Sequence, residues 1–355
     1  MNKEIDWTKS MTQTFEYYVV DPGTWSDIEK LDNVKSSTVT RDNEAETLGS
    51  ATIDITDSLG ECYIRIYLVV TQEGLKGKYP LGTFLVQTPS SSFDGKKRDI
   101  SMDAYTPLLE LKENPPPLGY SILKDENIMN HAYILSREHA RAPVVEAKSS
   151  NNLTYDFVAE TGDTWLSFLT DLIANADYTY ELDETSRILF APKQDTASLQ
   201  PVWTYDDSNS SILYPELSMT HDIYGIPNVV EVLFSNGSGY YYKRVVNDDP
   251  NSPISTVSRG REIIHRVTDP ELYGDPTEDQ MQEYAEQLLR DLSTVEYTIS
   301  YTHGYCPVRL NDCVRLNYTR AGLTDVKAKV IYQSIECKPG CKVTEKAVFT
   351  NKLWG

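Results

Sequence analysis

Four of the five cysteines in this chain lie in its last stretch, at Cys306, Cys313, Cys337 and Cys341, and thiolates are strong ligands for zinc and iron. Cys337-Lys338-Pro339-Gly340-Cys341 brackets a tight turn, which puts both thiols at one hairpin end. If a strand beginning at Cys313 pairs with one over 326–336, the loop from Cys306 to Asp312 lies near that same end. Four thiols then converge, as a tetrahedral zinc or an iron–sulfur cluster requires. The spacing is looser than a paired C-x-x-C motif, so a Cys337–Cys341 disulfide and four unrelated thiols stand as alternatives. Alternation sets Cys313 with Arg315 and Asn317, on the wetter side of its strand. Cys62, alone in a strand, reads as a small buried hydrophobe.

Other chemistry is sparse. His131 and His139 are eight residues apart, without the glutamate of a zinc-protease helix. His221, His265 and His303 sit in no motif, and no nucleophile elbow, phosphate loop or dinucleotide fingerprint occurs. The adjacent Asp248 and Asp249 fall in a turn and read as solvated. The sequence predicts no catalytic constellation, so no enzyme.

The chain has 355 residues, enough for two or three domains, with 53 acidic against 33 basic side chains and a formal charge of −20. So acidic a surface disfavours specific nucleic-acid binding and anionic membranes. No run reaches the length of a membrane span, and MNKEIDWTKS lacks the apolar core of a signal peptide. A cytosolic origin is expected, which disfavours the disulfide. Tyr is abundant, at 24 copies against 8 Phe, and suits half-exposed sheet faces and assembly surfaces.

The elements that must position these residues come in three stretches. From Thr14 to about Leu111 short strands alternate: 15–20, 49–56, 61–71, 81–88 and 97–104, with a turn expected across Gly74, Gly77 and Pro80. About six strands in an antiparallel barrel or sandwich are expected. Pro115-Pro116-Pro117 closes this stretch. Helices are then predicted over 125–140 and 161–176, the second capped by Thr161 or Asp163, followed by a hairpin, 178–182 with 187–190. The last stretch returns to strands at 228–235 and 240–246, joined across Asn236-Gly237-Ser238-Gly239, then at 295–302, 313–318, 326–336 and 343–350. One helix interrupts them, with Asp275 as its cap, Pro276 at its first position, Glu278 completing a capping box, and Met281, Tyr284, Ala285, Leu288, Leu289 and Leu292 as its apolar face.

Leu48-Gly49-Ser50-Ala51-Thr52-Ile53, then Tyr79-Pro80-Leu81-Gly82-Thr83-Phe84-Leu85-Val86, then Ile100-Ser101-Met102-Asp103-Ala104-Tyr105 form an ordered set. The set resembles the first domain of phage tail hub proteins, the baseplate or tail-tip hubs of long-tailed phages and contractile injection systems. The order of the three stretches fits that family over nearly the whole chain. The resemblance implies an α+β, mostly β fold: two tail-tube-like antiparallel β-barrel domains, 1–112 and 201–355, flanking a small α+β domain, 113–200. It implies a structural virion protein at the tail tip or baseplate, assembled in the host cytoplasm. It further implies a homotrimer that joins the tail tube or distal tail ring to a spike, fibre or tail-tip protein and lines the DNA channel. Some hubs of long-tailed phages carry a C-terminal cysteine-bound cluster, which favours a metal on Cys306, Cys313, Cys337 and Cys341. The ending at Leu353-Trp354-Gly355 carries no lysin or fibre domain, so wall cutting would belong to another protein. The alternative is a secreted or virion carbohydrate-binding and adhesion module built on the Tyr-rich strands.

Overall fold

The computed structural model describes residues 4–57, 59–93, 98–194, 196–236, 239–268, 270 and 277–354. Strands predominate among them. The chain divides into two compact units: residues up to Leu217 with Tyr301–Ala347, and Ser218–Ser300 with the residues from Val348 onward.

The first stretch of the larger unit is seven strands: β1 (Thr12–Asp21), β2 (Ser26–Leu31), β3 (Val34–Asp42), β4 (Gly49–Ile55), β5 (Tyr63–Gln72), β6 (Leu75–Phe93) and β7 (Arg98–Tyr105). They pair antiparallel in the order β3-β4-β7-β6-β5-β1-β2. Sequence periodicity misses β2 and β3 for one reason. β2 (SDIEKL) is largely exposed and β3 (VKSSTVTRD) is almost wholly polar, so neither shows apolar alternation. The turn after β5 is also shorter than expected. Glu73 and Gly74 take left-handed φ values of 48° and 83°, and a two-residue hairpin pairs Gln72 with Leu75. Gly77 and Pro80 instead lie inside β6. Pro80 opposes Tyr67 where the register shifts, at a bulge that tolerates its missing N–H.

Gly49 is fixed by a close approach. At φ 139° any Cβ on it would stand 2.3 Å from the Thr40 carbonyl oxygen across the β3–β4 pair.

The sheet continues past β3 into the C-terminal part of the chain. Val326–Glu336 pairs antiparallel with β3, setting Val39 opposite Ile335. Lys342–Lys352 and Thr294–Gly304 follow in the same order. Cys313–Asn317 pairs antiparallel with Val326–Glu336, as the spacing predicts, and parallel with Trp203–Asp206.

The middle segment packs helices on a small sheet. Helices span Leu108–Glu113, Ile128–His139 and Trp165–Ala174, and Tyr178–Leu182 pairs antiparallel with Ile188–Pro192. The first of these helices falls where only strands were expected. The third is capped by Thr164, neither Thr161 nor Asp163, because Thr164 and Ser167 form a reciprocal capping box. Trp165, Phe168, Leu169, Leu172 and Ile173 form one core with Leu108, Ile128, Leu135, Tyr180, Ile188 and Phe190, and the core reaches Trp25 and Tyr63 of the first stretch. The Trp165/Phe168 stripe is thus structural.

In the smaller unit, Val229–Asn236 pairs antiparallel with Gly239–Val246 and parallel with Ile264–Val267. The helix Glu278–Leu292 lays Met281, Ala285 and Leu289 on Val230, Val232, Phe234 and Val245. Its N-cap is Thr277, boxed with Gln280, and Glu278 is its first helical residue. The expected Asp275 and Pro276 start lies outside the described residues, as do Gly237 and Ser238 of the hairpin turn. Two capping-box readings overlap here, Asp275 with Glu278 and Thr277 with Gln280. The one with a side-chain hydroxyl at the cap and an amide at the third position prevails.

Candidate functional site

Alternation along the C-terminal strands of the larger unit turns Tyr301 and His303 inward from Thr294–Gly304, and Val343, Glu345 and Ala347 inward from Lys342–Lys352. Glu345 therefore occupies a position the pattern reserves for an apolar side chain, and it is fully buried. Such a charge persists only when several donors replace its water. Four converge on it. Tyr301 donates to Oε1, Gln333 donates from Nε2 at 2.7 Å, His303 Nε2 lies 3.4 Å from Oε2, and the Tyr205 hydroxyl lies 3.5 Å from Oε1. Gln333 also donates to the Val308 carbonyl at 2.9 Å. Its own Oε1 accepts from Arg41 Nη1 at 3.0 Å, while Arg41 Nη2 reaches the Leu81 carbonyl at 3.0 Å. The network thus ties β3 and β6 to three C-terminal strands.

Burial pulls the His303 imidazolium down, but hydrogen bonds to Cys306 and Glu345 outweigh it and hold its pKa up at about 10. Burial, then the charge of Glu345, pushes the Tyr205 and Tyr301 hydroxyls far above the usual phenol range. Both therefore stay protonated donors.

All five cysteines are free thiols. Cys306 Sγ lies 3.3 Å from the Tyr205 hydroxyl and 3.9 Å from His303 Nδ1. Cys337 and Cys341 lie within electrostatic reach of each other and of Arg41, Cys337 at 4 % exposure and Cys341 at 0 %. Burial pushes the Cys337 thiol up to about 12 and Cys341 further. Cys313 is buried too, a departure from the wetter face assigned by alternation. Its thiol turns to the Val314 carbonyl and that of Cys337 to the Ile335 carbonyl. Among the described residues no three His, Cys, Asp or Glu side chains are grouped to hold a metal ion.

The order Cys306, His303, Glu345 has the sequence of roles of a nucleophile, a base and its orienting carboxylate. All three are at most 2 % exposed, so the thiol does not face solvent. Sequence reasoning missed Glu345 and Gln333. The available signal was a glutamate and a glutamine at inward positions of otherwise alternating strands.

No helix among the described residues is long and apolar enough to cross a membrane. Neither a protein-family model nor a curated protein matches the sequence. The fold does have solved counterparts. A tail protein from Neisseria meningitidis MC58 matches with a TM-score of 0.59 and 14% identity, over 95% of this chain and 97% of that one. The 43 kDa tail protein of prophage MuSo2 from Shewanella oneidensis matches with a TM-score of 0.58 and 12% identity, over 94% and 98%. A chain of the Francisella PdpA–VgrG complex matches with a TM-score of 0.56 and 9% identity, over 96% of this chain and 53% of that one. The resemblance in the sequence and the similarity of these structures agree, and the fold of this chain is that of phage tail proteins.

Proposed function

We propose that the chain is a structural virion protein, a homotrimeric tail hub that joins the tail tube or distal tail ring to a spike, fibre or tail-tip protein and lines the DNA channel. The observation that carries the reading is the end-to-end match to two tail proteins, nearly complete for both partners in each comparison. In this proposal residues 1–112 and 201–355 act as two tube-like β-modules flanking 113–200, so that three chains present six wall elements. The negative charge of −20 suits a channel that DNA must traverse without adhering. The role is non-catalytic, and the buried network around Glu345 serves to hold strands in register.

Sedimentation and negative-stain microscopy of the full chain test this. A ring-like trimer with a central opening is expected. A two-fold dimer would overturn it, because that symmetry cannot cap a six-fold tube.

A further inference from the structure

The chain enters β1 from a segment that does not pair with the sheet. Residues 4–11 run as loop and turn, and β1 begins only at Thr12, opposite Thr71. Among the described residues, the hydrogen bonds of 4–10 stay within the segment or go to Gln72, the last residue of β5. Gln72 is buried, and its amide meets the backbone of Asp6 twice. Oε1 accepts from the Asp6 N–H at 2.8 Å, and Nε2 donates to the Asp6 carbonyl at 2.8 Å. A neighbouring strand would make the same pair of bonds to one residue; here a side chain supplies them.

Trp7 follows, 9 % exposed, in a cleft between Tyr79 and Tyr305. It meets both rings edge to face, at centroid distances of 5.0 and 5.2 Å. Tyr79 lies back over Gly77, where a Cβ would stand 2.6 Å from its ring, so the glycine lets that wall of the cleft form. Tyr305 is buried, and its backbone N–H donates to the Cys341 carbonyl at 3.1 Å. Both walls and the clamp therefore belong to the folded body, and only the indole and one backbone unit belong to the segment.

The rest of the segment adds little hold. Thr8 and Lys9 turn back onto Asp6, and Thr8, Lys9 and Ser10 are exposed. A terminal segment tied at two adjacent residues opens locally, at a fraction of the cost of global unfolding.

We propose that the cleft of Gln72, Tyr79 and Tyr305 is a docking site for an extended segment bearing a tryptophan. The chain's own Asp6 and Trp7 occupy it in cis, and a partner protein's segment with the same two features displaces them. The chemistry of recognition is read from the present occupant: an amide clamp on one backbone unit and an aromatic anchor at the next residue. The inference does not depend on the tail-hub reading.

Titration calorimetry on the full chain tests it with the peptide acetyl-Glu-Ile-Asp-Trp-Thr-Lys-amide and its counterpart with alanine for tryptophan. Trp7→Ala vacates the cleft and should bind the tryptophan peptide but not the alanine one. The parent should bind it about 10- to 1,000-fold more weakly, as for a site open in a minor fraction of molecules. Asp6→Pro removes the N–H that Gln72 accepts, frees the segment by a second route, and should also bind more tightly than the parent. Adding Gln72→Ala to Trp7→Ala should weaken the peptide by about 10-fold, through the lost clamp. Melting temperatures report whether each variant keeps its fold. Equal binding by parent and Trp7→Ala, equal binding of the alanine peptide, or no binding to the folded variants at millimolar concentration would overturn the proposal. Binding by the variants with none by the parent would overturn displacement, because the segment would then be a permanent part of the fold. Loss of self-association in folded Trp7→Ala would overturn occupancy in cis, by placing the segment in the cleft of a second copy.

Discussion

His303 and Glu345 face each other in the interior of the larger unit, with side chains 1 % and 0 % exposed and Nε2 3.4 Å from Oε2. Because the folded protein holds the His303 pKa at about 10, against about 6.5 for a free imidazole, proton binding and folding are linked. The raised pKa means that the imidazolium contributes stability fully below about pH 6.5, and that this contribution is lost as the pH climbs through about 10.

Glu345→Gln should therefore do two things. It should destabilise the fold by about 3–5 kcal/mol at neutral pH, the typical result of leaving one member of a buried pair uncompensated. It should also flatten the decline in stability between pH 6.5 and 10. Denaturant titrations across that window check both. The thiols that burial raises lose stability above about pH 8.5 in parent and variant alike, so the difference between the two profiles is the readout. Parallel pH profiles for the variant and the parent would show that His303 is not held charged by Glu345.

The local part of this architecture was legible in the sequence and the long-range part was not. The Trp165/Phe168 helix, the 178–190 hairpin and the Val326–Glu336 strand all show because apolar period and turn chemistry act over a few residues. The pairing of Val39 with Ile335 leaves no such trace, since strand partners distant in sequence impose no periodicity on each other. The cysteine turn was placed correctly at a strand end, but the sequence could not say where each thiol points. Cys306 follows Tyr205, whose strand Trp203–Asp206 was not expected from the sequence.

Thr83 joins the hairpin turn to the first stretch. Fully buried, its hydroxyl accepts from Arg65 Nε at 2.8 Å and donates to the Thr185 carbonyl at 2.9 Å, while its backbone N–H donates to Ser186 Oγ at 2.8 Å. Thr83→Val keeps the shape and removes the hydroxyl. Arg65 and the Thr185 carbonyl each lose one partner, and a loss of about 1–3 kcal/mol is expected. Faster hydrogen exchange confined to 183–187 is the accompanying signature. A variant as stable as the parent would show that the turn is held without the hydroxyl, by Trp25, whose Nε1 also donates to the Thr185 carbonyl, and by the Thr83 N–H bond to Ser186.

Thr277→Ala tests the helix start in the smaller unit. Its hydroxyl accepts from the Gln280 N–H at 3.2 Å, and Gln280 Oε1 accepts from the Thr277 N–H at 2.9 Å. Losing the box should cost about 1 kcal/mol. The loss should appear as fraying of the first turn by hydrogen exchange, with Leu289 still protected. Thr277→Ser should restore most of it. If the two variants fray equally, the helix start is set by residues before Thr277.

The thiols offer a final test that separates the readings of the cysteine turn. Cys306, Cys313, Cys337 and Cys341 are each at most 4 % exposed, and Cys62 is half-buried. Burial raises the Cys62 thiol, and Glu61 adds to it, so reaction there is slow but open to solvent. Native protein treated with a disulfide reagent at pH 8 should release about one equivalent of thiolate, and denatured protein five. Cys62→Ser should abolish the native reaction. Three equivalents after denaturation would instead reveal a Cys337–Cys341 disulfide. A native count of three would mean that the Pro339-Gly340 turn opens readily, against the burial of both thiols beneath it. Cys341 sits at a φ of 33°, unusual for any residue but glycine, directly after Gly340 at 94°. A turn wound that tightly, with the Cys341 N–H donating to the Lys338 carbonyl at 2.8 Å, leaves the thiol no easy route outward. The structure therefore favours one reactive thiol over three.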